Sequence, residues 1–199
     1  MRSFLFKKER FIKSLYKILT VFLSICWVAI GVVCGYFFIE KKVVYPLKYK
    51  EEILQYSTFY SLEPALIFAV VKTESSFKEN AKSSKGAIGL MQITKSTGEY
   101  VASLLGEKNF NLENPQTNVK YGCFYIRYLK NKFNTQRETL CAYNAGEGVV
   151  LNWLKNPEYS ADGKTLNKIP FAETKEYLLK IEKTFNKYKN LYGNIVDKR

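Results

Sequence analysis

From Ile18 to Ile39 the chain reads ILTVFLSICWVAIGVVCGYFFI, twenty-two residues without one charge. As a helix this run reaches ~33 Å, enough to cross the hydrocarbon core of a bilayer. A core helix of that length would carry a polar stripe. A cleaved leader has a shorter apolar region followed by a small-x-small site, and here YFFIEKK follows instead. Neither LSIC at Cys26 nor GVVC at Cys34 has a small residue just before its cysteine, which argues against lipidation there. The segment is therefore expected to be a single transmembrane helix, 18–39. Arg2, Lys7, Lys8, Arg10, Lys13 and Lys17 precede it, and Lys41, Lys42, Lys48 and Lys50 follow. That bias predicts an inside N-terminus and a domain outside the cytoplasm. Gly31 and Gly35 form a G-x-x-x-G pair, but such pairs arise readily in apolar runs and no helix dimer is expected from it.

The span also explains the charge. The chain of 199 residues carries a net +13. Residues 1–50 hold 10 Lys/Arg against 2 Glu, and residues 51–199 hold 21 against 16 Asp/Glu. The excess flanks the membrane segment, so nucleic-acid binding is not expected. Histidine is absent, which removes imidazole as base or metal ligand, and the four cysteines lack C-x-x-C spacing. No metal and no cofactor is expected.

The expected organisation is a basic N-terminus at 1–17, the transmembrane helix at 18–39, a juxtamembrane linker at 40–50, one domain at 51–190 and a tail at 191–199. Helix signals dominate the domain. EEILQYSTFYSL (51–62) is one helix. Pro64 suits a first helical turn and opens another, to about Ser75. KSSKGAIGL (82–90) is a Gly-rich loop, and AIGLMQI has room for a short strand. Helices are expected from Ser96-Thr97 to Leu105, from Asn114-Pro115 to about Phe133, from Thr135 to Asn144, and from Glu147 to Leu154. A polar loop at 156–169 leads to Pro170 and a final helix to about Tyr188. A helical hairpin turning near Asn134 could bring Cys123 and Cys141 together. Both a disulfide and two ordinary core thiols stay open.

In the helix from Pro64, Glu74 lies three residues after Val71, four after Val70 and seven after Ile67. Helical periodicity places it on the apolar side. A carboxyl in that setting is partly desolvated, which raises its pKa and keeps a proton available for general-acid work. Periodicity alone leaves a second reading, a carboxylate at a frayed helix end turned toward a lysine.

The neighbours carry a resemblance. TESSF (73–77), KGAIGLMQI (85–93), NPQTNVKYGCFYIRYL (114–129), AYNAGEGVV (142–150) and IPFAETKEYL (169–178) occur in order. With them, residues 63–185 resemble the catalytic domain of the soluble lytic transglycosylase (Slt) family. The resemblance implies a mainly α, lysozyme-like (α+β) domain behind the N-terminal transmembrane helix. It implies that Glu74 is the single acid/base. Ser83, or the adjacent Ser84, would polarise the sugar N-acetyl group. Gln92 would line the glycan groove, Tyr143 would stand near the catalytic carboxyl, Asn144 would be structural or groove-lining, and Glu173 would contact substrate. Two positions depart from the family pattern: Thr94-Lys95 follow GLMQI where a Met or Leu and then Pro is frequent, and Glu147 replaces the Pro of AYNAGPG.

The implied activity is cleavage of the bond between N-acetylmuramic acid and N-acetylglucosamine in peptidoglycan, leaving 1,6-anhydromuramic ends. Expected partners are glycan strands and the membrane, with envelope or cell-wall assembly proteins as further candidates. A conventional glycosidase needs two carboxyls across the bond, and none of Glu79, Glu99, Glu147 and Glu173 is singled out by spacing as the second. A lysozyme-type hydrolase using the same Glu74 and an inactive peptidoglycan-binding module are the alternatives.

Overall fold

A computed structural model describes residues 2–133 and 135–196, with the backbone alone for 2–12, 14 and 194–196. The chain divides into two units, Met1–Pro46 and Leu47–Arg199. In the first, helix α1 runs over Arg2–Ile39 and widens into a π-helical turn at Glu40–Val44. Leu15–Val44 is long and apolar enough to cross a membrane. Large apolar side chains along it, from Ile18 and Phe22 to Trp27 and Phe38, are exposed. The sequence places the same span at 18–39; the continuous apolar helix extends past both limits.

The second unit is helical around a two-stranded hairpin. Its elements are α2 (Lys50–Phe59), α3 (Pro64–Ser75), β1 (Ala87–Ile88), β2 (Ile93–Thr94), α4 (Lys95–Leu105), α5 (Pro115–Lys132), α6 (Gln136–Ala145), α7 (Glu147–Lys155) and α8 (Ala172–Val196). The starts follow from local chemistry. Thr94 accepts a bond from Thr97 N, Asn114 from Thr117 N and Thr135 from Arg137 N, each satisfying an otherwise unpaired donor of the first turn. Pro64 and Pro115 occupy first-turn positions where their missing N–H costs nothing.

α3 is the axis of the domain. Every residue from Ala65 to Val71 is buried. One apolar face was expected from the periodicity; the helix is instead wrapped on all sides, and α8 is its most extensive neighbour. The Phe68 ring stacks on Tyr188 at 5.3 Å, and Tyr188 on Tyr192 at 6.0 Å. These rings hold α8 helical beyond the expected end near Tyr188, through to Val196.

The hairpin pairs Ala87 with Thr94 and Ile88 with Ile93. Strands this short leave most of their order to a tertiary anchor. Asn118, fully buried on α5, supplies it. Its Oδ1 accepts from Met91 N at 2.8 Å, and its Nδ2 donates to the Ile88 and Leu112 carbonyls, both at 2.9 Å. Gly89 (φ +78°) lets the turn approach that amide. A Cβ there would overlap the Asn118 side chain and come within 3.0 Å of the Leu112 carbonyl oxygen. Gly122, one turn along α5 from Asn118, likewise leaves the space that the Met91 side chain fills.

Cys123 and Cys141 are buried and both are free thiols. They behave as small core residues, Cys141 within a cluster containing Leu129, Phe133, Val150 and Trp153.

Candidate active site

Glu74 occupies the last turn of α3, where the buried helix emerges. The chain then turns sharply. Ser76 (φ +50°) and Phe77 (φ +62°) both take left-handed conformations, and Ser76 N closes the helix on Lys72 O. Two consecutive non-glycine residues in that region cost ~1–2 kcal/mol each, held in place by Phe77 packing into the core against Phe68. The turn stops the helix immediately beyond the acid.

Two tyrosines address the carboxyl. Tyr177 comes from α8. Its ring is buried, and its hydroxyl is a buried polar atom without a direct hydrogen-bond partner. It nevertheless lies near enough to Glu74 for hydrogen bonding to favour the carboxylate over the neutral acid. Tyr143 comes from the C-terminal half of α6. Its hydroxyl donates to the Met91 carbonyl at 2.7 Å, which fixes the ring beside the hairpin. Burial, then the Glu74 carboxylate, push its own pKa well above the ordinary tyrosine value.

Burial raises the pKa of Glu74 to about 7, and Tyr177 opposes that rise. Among the described residues, no other carboxylate shifts it. The group can hold a proton near neutrality and, once it has lost it, be stabilised as an anion by a hydroxyl.

The other candidates are each held by contacts of their own. The Asn144 side chain accepts from Thr174 Oγ1 at 2.8 Å, tying the end of α6 to the first turn of α8. Ser83 lies in the exposed loop after α3, where its Oγ accepts from Ala87 N at 3.0 Å. The amide nitrogen of Gln92 donates to the carbonyls of Ala81 (3.1 Å) and Gly89 (2.9 Å), so this half of the side chain is spent on the loop's backbone. Gln92 itself is left-handed, φ +49°. Glu173 opens α8, and its carboxylate meets Lys85 Nζ at 3.1 Å. Glu147, where the family pattern carries proline, pairs with Lys132. Beyond Tyr143, the rings of Tyr125, Tyr128 and Tyr100 follow in steps of 5.9, 6.1 and 5.6 Å.

Tyr177 is the residue that sequence reasoning missed. Its signal lay in the motif IPFAETKEYL, where it stands four residues after Glu173, about one helical turn further along α8. Among the described residues, no cluster of three or more Cys, Asp or Glu side chains could hold a metal ion.

The family described as Transglycosylase SLT domain matches residues 51–166. The chain is 31% identical over 140 residues to the soluble lytic murein transglycosylase of Escherichia coli, an alignment covering 67% of this chain and 22% of that protein. It is 29% identical over 167 residues to membrane-bound lytic murein transglycosylase C of Serratia proteamaculans, covering 71% and 47%. A solved structure of the lytic transglycosylase Slt from Pseudomonas aeruginosa, an inactive mutant with a glutamate changed to glutamine, is similar at a TM-score of 0.65 and 26% identity. It covers 76% of this chain and 25% of that one. The chain thus spans from about a fifth to about half of the length of these relatives. This chain belongs to the transglycosylase SLT domain family.

Proposed function

We propose, with that membership as the premise, that the protein is a membrane-anchored lytic transglycosylase that cleaves peptidoglycan with Glu74 as its only acid and base. The observation that carries the reading is a carboxyl at the end of α3, its pKa raised to about 7 by burial, with a tyrosine hydroxyl beside it and, among the described residues, no second carboxylate shifting it. A two-carboxyl glycosidase requires a partner about 5 Å, or about 6.5–9.5 Å, across the bond. A lone acid fits a reaction in which the substrate supplies the nucleophile.

The protonated Glu74 gives its proton to the oxygen linking N-acetylmuramic acid to N-acetylglucosamine, and the C1–O bond breaks. The acetamido carbonyl oxygen of the muramic residue bonds to C1 in its place. The C6 hydroxyl then attacks C1, the acetamido bond to C1 is released, and Glu74 takes the O6 proton. Glu74 ends protonated as it began, the glycan gains a 1,6-anhydro ring, and no water is consumed. Tyr177 steadies the carboxylate between the two proton transfers. Tyr143, held by Met91 O, shapes the floor beside it, and Ser83, Gln92, Asn144 and Glu173 are assigned to the groove.

The apolar helix would anchor this domain in one pass, with residues 1–17 inside and 51–190 outside. The membrane-bound relative and the flanking lysines support that arrangement. Mass spectrometry of fragments released from purified cell wall tests the chemistry. Anhydro ends, one water lighter than reducing ends, are expected. Reducing ends would assign the same Glu74 to a hydrolase, and tight binding with no release would reduce the domain to a glycan-binding module.

A further inference from the structure

The loop after α3 is strung between two carboxylates. Lys82 pairs with Glu113 at 2.7 Å, just ahead of α5, and Lys85 pairs with Glu173 at 3.1 Å, in the first turn of α8. Between the two lysines the backbone is tight. Gly86 N donates to Ser83 O at 3.0 Å, Ala87 N to Ser83 Oγ at 3.0 Å, and Gly86 takes φ +78°. Lys85 is the third residue of that turn. Its Cα is fixed while its flexible stem and compact ammonium remain free to swing.

The position matters because of what lies one turn away. Glu173 precedes Tyr177 by four residues, a rise of ~6 Å along α8, with Glu173 at the exposed edge of the buried face that carries Tyr177. Tyr177 is the residue that addresses Glu74. The Lys85 ammonium is therefore docked to the first turn of α8, about one helical turn before Tyr177. Both partners are largely exposed, 77% for Lys85 and 71% for Glu173. An exposed pair adds little to stability and exchanges partners readily. It holds a cation at the rim in a defined place without committing it. We propose that Lys85 is a carboxylate-binding residue of the groove, leaving Glu173 to take an anionic group of the substrate.

This rests on the reading that the substrate is peptidoglycan. A strand offers the same chemistry from two sources: carboxyls of the stem peptide, and the lactyl carboxyl of muramic acid where the peptide has been removed. The test uses the full-length chain carrying Glu74→Gln, so that bound strands are not consumed. Calorimetry measures affinity for three soluble glycan preparations: peptide-bearing, amidase-stripped, and stripped with the lactyl carboxyl methyl-esterified. Adding Lys85→Met is expected to weaken binding of a carboxylate-bearing preparation about three- to tenfold and to leave the ester unaffected. Lys85→Arg is expected to restore most of the loss, and added salt to shrink it. Loss confined to peptide-bearing strands assigns the stem peptide; loss on stripped strands assigns the lactyl group. Equal loss on the ester, no loss on any preparation, or no binding by the Glu74→Gln parent overturns the proposal. Cleavage by the unmodified enzyme is measured separately, so the functional reading and this one can fail independently.

Discussion

Tyr177 turns a buried hydroxyl toward the carboxyl of Glu74, although more than half of the chain separates the two in sequence. The packing of α8 along α3 brings them together. The two influences on the acid oppose each other: burial favours the neutral form, and the hydroxyl favours the anion. A pKa of about 7 is the result, suited to a group that gives a proton and then takes one back.

Removing the hydroxyl leaves burial unopposed. Tyr177→Phe is expected to raise the pKa of Glu74, moving the basic limb of the pH–rate profile for wall cleavage to higher pH. Below about pH 6, where Glu74 is protonated, the melting temperature is expected to change little. An unmoved basic limb would refute the coupling.

Glu74→Gln keeps the shape and removes the titrating proton. Cleavage of purified peptidoglycan, followed as loss of turbidity, is expected to vanish while the circular dichroism stays that of the parent. Solubilisation at near the parental rate would remove Glu74 from the mechanism.

The same substitution reports on stability. Between pH 4.5 and about 7 the folded chain holds a proton on Glu74 that the unfolded chain has released. Stability contributed by this group is therefore present at low pH and lost as pH rises through that window. Glutamine has no such loss. The melting temperature of Glu74→Gln minus that of the parent is expected to grow from pH 4.5 to 7 and level off above it. Thermal melts at pH 4.5, 6, 7 and 8 check the sign.

The helices were legible in the sequence because their starts are written locally. Asn114, Thr135 and the two prolines act within one turn of where they stand. The long apolar helix was legible for the same reason, since apolarity over its length needs no partner. The hairpin was harder. Strands of two residues have no room for an alternating pattern, and their anchor, Asn118, looks like any polar residue in a helix. The bonds from the Gln92 amide nitrogen to the backbone of its own loop were not legible either, because they depend on how the loop folds back. Glu74 was expected to be desolvated by one apolar face, and burial does raise its pKa, but the helix before it is enclosed on every side from Ala65 to Val71. Tyr177 required the α3–α8 pairing, which no local signal states.

Asn118→Ala is expected to destabilise the domain by about 3 kcal/mol or more. It strands a donor at Met91 and acceptors at Ile88 and Leu112, each costing ~1–3 kcal/mol when buried and unpaired. Urea denaturation measures it. A loss under about 1 kcal/mol would mean that water enters and replaces the amide.

Burial pushes the thiol of Cys141 up to about 11 and that of Cys123 higher still. Both are therefore expected to resist thiol-specific reagents in the native protein and to react, unbridged, once it is denatured. Non-reducing mass analysis with and without alkylation decides this, and a mass two hydrogens short would show a disulfide.

The wrapping of α3 has a consequence for hydrogen exchange. An amide in Ala69, Val70 or Val71 can meet deuterium only when the surrounding helices separate, so these positions exchange through global opening. A few residues on, the loop from Lys82 to Gly86 is exposed, and its amides are expected to exchange without global opening. Glu74 lies between the two regimes. The amides on one side of Glu74 are thus expected to exchange only with the whole domain, and those on the other side independently of it.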